Sequence, residues 1–161
     1  MSLKHVTIHT DGAARGNPGP GGYGVVQEFD GRRKQLAQGF ARTTNNRMEL
    51  MAAIAGLEAL KERCRVTLHS DSRYLIDALT KGWLKGWKAR HWIKADRQPV
   101  KNIDLWQRLE EAARRHQVEW KWLRGHAGHA ENEACDRLAV KAASAPGLPP
   151  DEGFEQGGGG S

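Results

Sequence analysis

Val6-Thr7-Ile8-His9-Thr10-Asp11 returns later in the chain as Val66-Thr67-Leu68-His69-Ser70-Asp71. Both copies place β-branched or apolar residues at alternate positions, the pattern of a strand with one face buried. Each ends on an aspartate beside a small hydroxyl residue. A helix-length segment lies between them, so the two strands can be parallel neighbours in one sheet. Parallel neighbours sit about 4.8 Å apart, and equal register then sets Asp11 beside Asp71. In open α/β sheets ligands bind outside the carboxyl ends of the strands. Two carboxylates at that edge repel unless a proton or a cation lies between them. The rest of the chain is read around this pair.

The first strand runs into Gly12-Ala13-Ala14-Arg15-Gly16-Asn17-Pro18-Gly19-Pro20-Gly21-Gly22, a composition that predicts a tight turn. Strands over 23–29 and 33–42 follow, joined at Asp30-Gly31, a strong hairpin signal. The first three strands therefore form an antiparallel meander. A helix is expected over 43–63, with Leu50, Ala53, Ile54, Leu57 and Leu60 on its buried face. The second hexapeptide makes a strand over 65–70, and helices follow over 72–80 and 103–116. A fifth strand spans 118–122. The loop Arg124-Gly125-His126-Ala127-Gly128-His129 leads to a last helix over 131–143, burying Cys135, Leu138, Ala139 and Ala142. The expected fold is α/β, a mixed five-stranded sheet of three antiparallel strands and two parallel additions, with helices on both faces. The domain is expected to occupy residues 1–145. Pro146 breaks the last helix, and 146–161 are expected to be a flexible tail ending in a linker-like Gly/Ser run.

Charge is unevenly placed. Within residues 81–101, Lys81, Lys85, Lys88, Arg90, Lys94, Arg97 and Lys101 stand against Asp96 alone, a local +6 equal to the net charge of the whole chain. Trp83, Trp87 and Trp92 are interleaved with them. Cations and large aromatics in one surface segment suit phosphate contact with sugar or base stacking. A solvated helix whose tryptophans pack inward is the rival reading, and Trp87 suits it. No run of about 18 apolar residues occurs, and the first residues lack the apolar stretch of a signal peptide. Cys64 and Cys135 lack metal-ligand spacing and are expected to be reduced and buried, as in a cytoplasmic protein.

Four stretches carry the chemistry: Thr10-Asp11-Gly12, Asn45-Asn46-Arg47-Met48-Glu49-Leu50, Ser70-Asp71-Ser72, and Gly125-His126-Ala127-Gly128-His129 with Asn132-Glu133-Ala134-Cys135-Asp136. In this order and spacing they resemble the type 1 ribonuclease H family, in its stand-alone bacterial form. The resemblance covers about residues 4–145. Two long, unusual strings make it specific: Gly16-Asn17-Pro18-Gly19-Pro20-Gly21-Gly22-Tyr23-Gly24, and the run from Arg42 to Met51.

The resemblance implies a ribonuclease H-like fold and four metal-binding carboxylates, Asp11, Glu49, Asp71 and Asp136. Taken alone, Glu49 equally fits a capping arrangement with Asn46, three residues earlier. Asp136 is singled out only by the resemblance. Hard oxygen ligands suit two Mg²⁺ ions, with Mn²⁺ a plausible substitute, and no small-molecule cofactor. His126 is implied as an auxiliary catalytic residue. Asn17 and Glu49, with backbone near Ala14, would contact RNA 2′-hydroxyls, and Asn45 belongs to the same substrate surface. Arg42, Thr44 and Asn102 match positions that hold a DNA phosphate, and Trp83 the aromatic that packs on the DNA sugar. Lys85, Lys88 and Arg90 supply the basic protrusion. Gly86 stands where the familiar bacterial form carries a polar side chain, and the Lys81-Gly82-Trp83 spacing is one residue longer. The implied activity is hydrolysis of the RNA strand of RNA·DNA hybrids by a cytoplasmic monomer. The alternative is a non-catalytic hybrid-binding module on the same fold.

Overall fold

The two hexapeptides are adjacent parallel strands in equal register. The computed structural model describes residues 3–125 and 128–156. In it β1 (Lys4–Ala14) lies beside β4 (Cys64–Ser70), with Val6 opposite Val66 and His9 opposite His69. Val6, Ile8, Val66 and Leu68 are buried on one face, as the alternation demands. β2 (Gly19–Phe29) and β3 (Arg32–Thr43) continue from β1 as an antiparallel meander, and β5 (Gln117–Trp122) adds in parallel beyond β4. The order β3-β2-β1-β4-β5 is the mixed five-stranded sheet expected. Asp30 and Gly31 both take left-handed backbone, φ 51° and 76°, as a tight two-residue hairpin turn requires.

Among the described residues there are six helices: α1 (Asn45–Glu58), α2 (Arg73–Thr80), α3 (Trp83–Ala89), α4 (Ile103–Arg114), α5 (Ala130–Ala143) and the short α6 (Glu152–Glu155). α1 packs on β1 and β2, with α4 against it, and α5 lies over β1, β2 and β3. The main core joins Ile8, Val25, Leu50, Ile54, Leu57, Leu68, Leu75, Trp106 and Leu109, and a smaller cluster joins Val26 to Ala134 and Cys135 under α5. Burying one such large apolar side chain contributes about 1.5–3 kcal/mol. Cys64 and Cys135 are free and buried. Among the described residues no helix is long and apolar enough to cross a membrane.

Two elements differ from the expected bounds. The glycine-rich stretch is mostly strand, because β1 runs on to Ala14 and β2 begins at Gly19, pairing Ala14 with Gly21. Its glycines serve close approach: a Cβ on Gly12 would lie 2.4 Å from the carbonyl carbon of Met48, so α1 could not seat against the strand. α1 stops at Glu58, not 63. β4 has to start at Cys64, opposite Lys4, and the intervening residues carry the chain back to the sheet.

Part of 146–161, expected as a flexible tail, makes specific contacts with the domain. Residues 149–155 are docked. The Ala41 N–H donates to the Pro149 carbonyl at 2.8 Å, and Asp151 is 1% exposed. Asp151 accepts from the fully buried Arg47 at 2.7 and 3.0 Å and from the Thr43 hydroxyl at 2.7 Å. The remaining guanidinium donors of Arg47 reach Asp104 at 2.9 and 2.8 Å and the Asn102 side-chain oxygen at 3.3 Å. Burial alone would lower the Arg47 pKa, but the hydrogen bonds it donates to Asp104 and Asp151 raise it, so the cation persists. The Gly/Ser run 157–161 lies outside the described residues.

Exposed ion pairs such as Lys4–Glu62 are screened by solvent and add little, whereas breaking a buried pair costs about 3–5 kcal/mol because a charge is stranded. Asp151→Ala should therefore lower the unfolding free energy by about 3–5 kcal/mol in urea titration. Glu62→Ala, which removes only a solvent-screened pair, should leave the urea midpoint essentially unchanged. An Asp151→Ala protein within about 1 kcal/mol of wild type would show that the segment is not an anchor.

Candidate active site

Two residues beyond the His9–His69 pair, Asp11 and Asp71 emerge at the carboxyl edge of the sheet. Glu49 reaches the same point from α1. One carboxylate oxygen from each of Asp11, Glu49 and Asp71 can be chosen so that all lie within 4.8 Å of one another. Asp136, on α5, is a further electrostatic neighbour of Asp11. The capping alternative for Glu49 fails: Thr44 is the N-cap of α1, its hydroxyl accepting from the Arg47 N–H. That leaves the Glu49 carboxylate to the cluster.

The hydroxyl residues beside the aspartates hold the strand ends. The Thr10 hydroxyl donates to the His69 carbonyl at 3.2 Å. Ser70 accepts from the Ser72 N–H, and Ser72 caps α2 by accepting from the Leu75 N–H. The Trp122 indole N–H donates to the Asp71 carbonyl at 3.2 Å, and the Arg73 guanidinium stacks 3.8 Å from that indole's centre. Gly125 closes the side of the site, since a Cβ there would stand 2.7 Å from an Asp71 carboxylate oxygen.

Electrostatically the cluster is short of positive charge. Burial, then Asp71 and Asp136, push Asp11 up to about 8. Burial, then Asp11 and Asp71, hold Glu49 well above the usual carboxylate range. The imidazoles on the strands behind do not compensate: His9 and His69 stack at 4.5 Å. Burial and the His69 neighbour push His9 down to about 4, and burial also lowers His69. Among the described residues no lysine or arginine pairs with Asp11, Glu49, Asp71 or Asp136. One Glu49 oxygen, Oε1, is buried with no hydrogen-bond partner. A set of hard oxygen donors, one of them orphaned, fits a divalent cation held among Asp11, Glu49 and Asp71.

The remaining expected site residues fall in three places. Asn17 and Asn45 fasten the β1–β2 turn to the start of α1, the Asn45 N–H donating to the Asn17 side chain at 3.1 Å and the Ala14 N–H to the Asn45 side chain at 2.6 Å. They stand one helical turn from Glu49. Arg42, Thr44 and Asn102 lie around Arg47, with different exposure. Arg42 is open, but Thr44 and Asn102 are buried. Asn102 also donates to the Tyr74 hydroxyl at 3.1 Å. Trp83, Lys85, Lys88 and Arg90 form the projecting α3 and its end. Trp83 is 42% exposed, while Lys88 pairs with Glu110. Trp87 packs edge-on against Trp106, the inward role open to it in the sequence. His126 lies outside the described residues.

Sequence reasoning missed Arg47, Asp151, Trp122 and the close approach of Gly125. Arg47 carried a signal: a cation in the first turn of a helix opposes the macrodipole, so it needs acidic partners from elsewhere. Asp11→Asn removes one repelling charge from the metal-free cluster. The folded state keeps a proton on Asp11 that the unfolded chain loses above pH 3.8, so wild-type stability falls as pH rises from about 4 to about 8. In EDTA the variant should thus match wild type near pH 4 and exceed it by about 1 kcal/mol or more at pH 8. A variant less stable than wild type at pH 8 would contradict the crowding.

Comparison with known proteins agrees with this geometry. The family model described as RNase H matches residues 3–144. A Ribonuclease H of Shewanella amazonensis is 57% identical over 153 residues, 95% of this chain and 97% of the relative. A Ribonuclease H of Escherichia coli O139:H28 is 56% identical over 153 residues, with the same coverage of 95% and 97%. LC9-RNase H1, described as a type 1 RNase H with the type 2 active-site motif, has the same fold with a TM-score of 0.80 at 36% identity, over 97% of this chain and 81% of that one. With the family matched over residues 3–144 and Asp11, Glu49 and Asp71 converging at the sheet edge, this chain belongs to the ribonuclease H type 1 family.

Proposed function

We propose that this ribonuclease H hydrolyses the RNA strand of RNA·DNA hybrids, leaving 5′-phosphate and 3′-hydroxyl ends, as a monomer in the cytoplasm. The observation that carries this is the convergence of Asp11, Glu49 and Asp71 within 4.8 Å, with no cation from the described residues to neutralise them. Two Mg²⁺ ions, or Mn²⁺, held by Asp11, Glu49, Asp71 and Asp136 would supply Lewis acidity and an activated water for in-line phosphodiester displacement. No covalent nucleophile is then needed from the protein. His126, which falls between β5 and α5 in sequence, assists proton transfer or product departure.

Substrate selection divides between two surfaces. Asn17, Asn45 and the backbone near Ala14 flank Glu49, where they can read the 2′-hydroxyl, the group that distinguishes RNA from DNA. Arg42 and the buried pair Thr44 and Asn102 form the DNA-strand side. Of these only Arg42 presents its side chain openly, so Thr44 and Asn102 contribute chiefly by fixing the backbone around it. Trp83 offers an exposed ring for a sugar lacking the hydroxyl, and Lys85, Lys88 and Arg90 add phosphate attraction without entering the chemistry.

A single 2′-hydroxyl engages only part of such a reading surface, so several consecutive ribonucleotides should be needed. In DNA duplexes carrying one, two, four or six ribonucleotides in one strand, at fixed Mg²⁺ and salt, cleavage should appear only with the longer runs. Efficient cutting at a single ribonucleotide would overturn the proposed division of the surface.

A further inference from the structure

The C-terminal segment touches the open cation of the DNA-strand side. From the anchor at Asp151, Phe154 lies against Arg42, with the guanidinium 5.0 Å from the ring centre. The next residue, Glu155, holds a carboxylate oxygen 3.6 Å from an Arg42 terminal nitrogen. The two contacts act in opposite senses. A ring face attracts a guanidinium and fixes its plane while leaving the N–H edge free. A carboxylate instead occupies that edge, the place where a phosphate oxygen would bind. Arg42 and Glu155 are 58% and 46% exposed, so their pair is weak and displaceable, unlike the buried anchor. The same segment, through Gly153 and Gln156, lines an open groove together with Lys94, Gln98 and Asn102.

We propose that residues 151–155 are a strap that sets the affinity of the protein for the DNA strand. Phe154 positions Arg42, and Glu155 is a placeholder that the incoming phosphate displaces. This rests on the reading of Arg42 as a DNA-phosphate contact. It predicts opposite effects from neighbouring residues, which a merely structural segment would not give.

The test is steady-state hydrolysis of a labelled hybrid over a range of salt, with hybrid binding measured by anisotropy in EDTA. The proteins are the full chain and its Glu155→Gln, Phe154→Leu, Arg42→Ala and Glu155→Gln/Arg42→Ala variants. Glu155→Gln should lower KM about 2–5-fold at low salt with kcat and thermal midpoint unchanged, and the gain should shrink as salt screens it. Phe154→Leu should raise KM by about 2-fold or more, in line with a lost cation–π contact. In the Arg42→Ala background the Glu155 effect should vanish. The strap is overturned if Glu155→Gln leaves KM unchanged, or shifts it equally without Arg42. A silent Arg42→Ala overturns both the strap and the Arg42 assignment. Failure of the function itself looks different: wild-type protein would then neither bind nor cut the hybrid.

Discussion

Everything at the site depends on the equal register of β1 and β4. Because Val6 faces Val66 and His9 faces His69, Asp11 and Asp71 stand together just past the last β1–β4 pair, and a slip of one residue would send one of them to the other face. The register is secured by the buried apolar positions Ile8 and Leu68 below and by the hydroxyl bonds of Thr10, Ser70 and Ser72 above. The resulting crowding of carboxylates is unfavourable in the isolated protein and useful in the loaded one. The folding energy comes from the core, and in the proposed function the repulsion it sustains would become affinity for a divalent cation.

A second, independent constraint holds the periphery. Arg47 points away from the site on the same helix that carries Glu49, and it gathers Asp104 from α4 and Asp151 from the C-terminal segment. The orientation of α1, and with it Glu49, is thereby tied to elements distant in sequence. The same node brings Phe154 and Glu155 to Arg42, so a feature built for stability also sets the surroundings of a surface cation.

Much of this was legible in the sequence, for physical reasons that can be named. Strand alternation and the repeated hexapeptide specify the sheet because burial has a period of two residues along a strand. Asp30-Gly31 specifies its turn because few residues tolerate left-handed backbone. Glu49 stayed ambiguous because a capping residue and a ligand can share one spacing, and only the observed cap at Thr44 separates them. The docked C-terminal segment was not legible. Its Pro/Gly content resembles a linker, and its partner Arg47 stands 104 residues away from Asp151, beyond any local pattern. The burial of Thr44 and Asn102 was equally beyond local pattern, since it follows from Thr44 capping α1 and from Asn102 bonding Arg47 and Tyr74.

The most direct measurement is strand-resolved cleavage of an RNA·DNA hybrid with each strand end-labelled separately, with and without Mg²⁺, by the wild-type chain. Breakage confined to the RNA strand and abolished in EDTA is expected from a carboxylate cluster that requires a divalent cation and a surface that reads the 2′-hydroxyl. Cleavage of the DNA strand, or undiminished cleavage in EDTA, would contradict it.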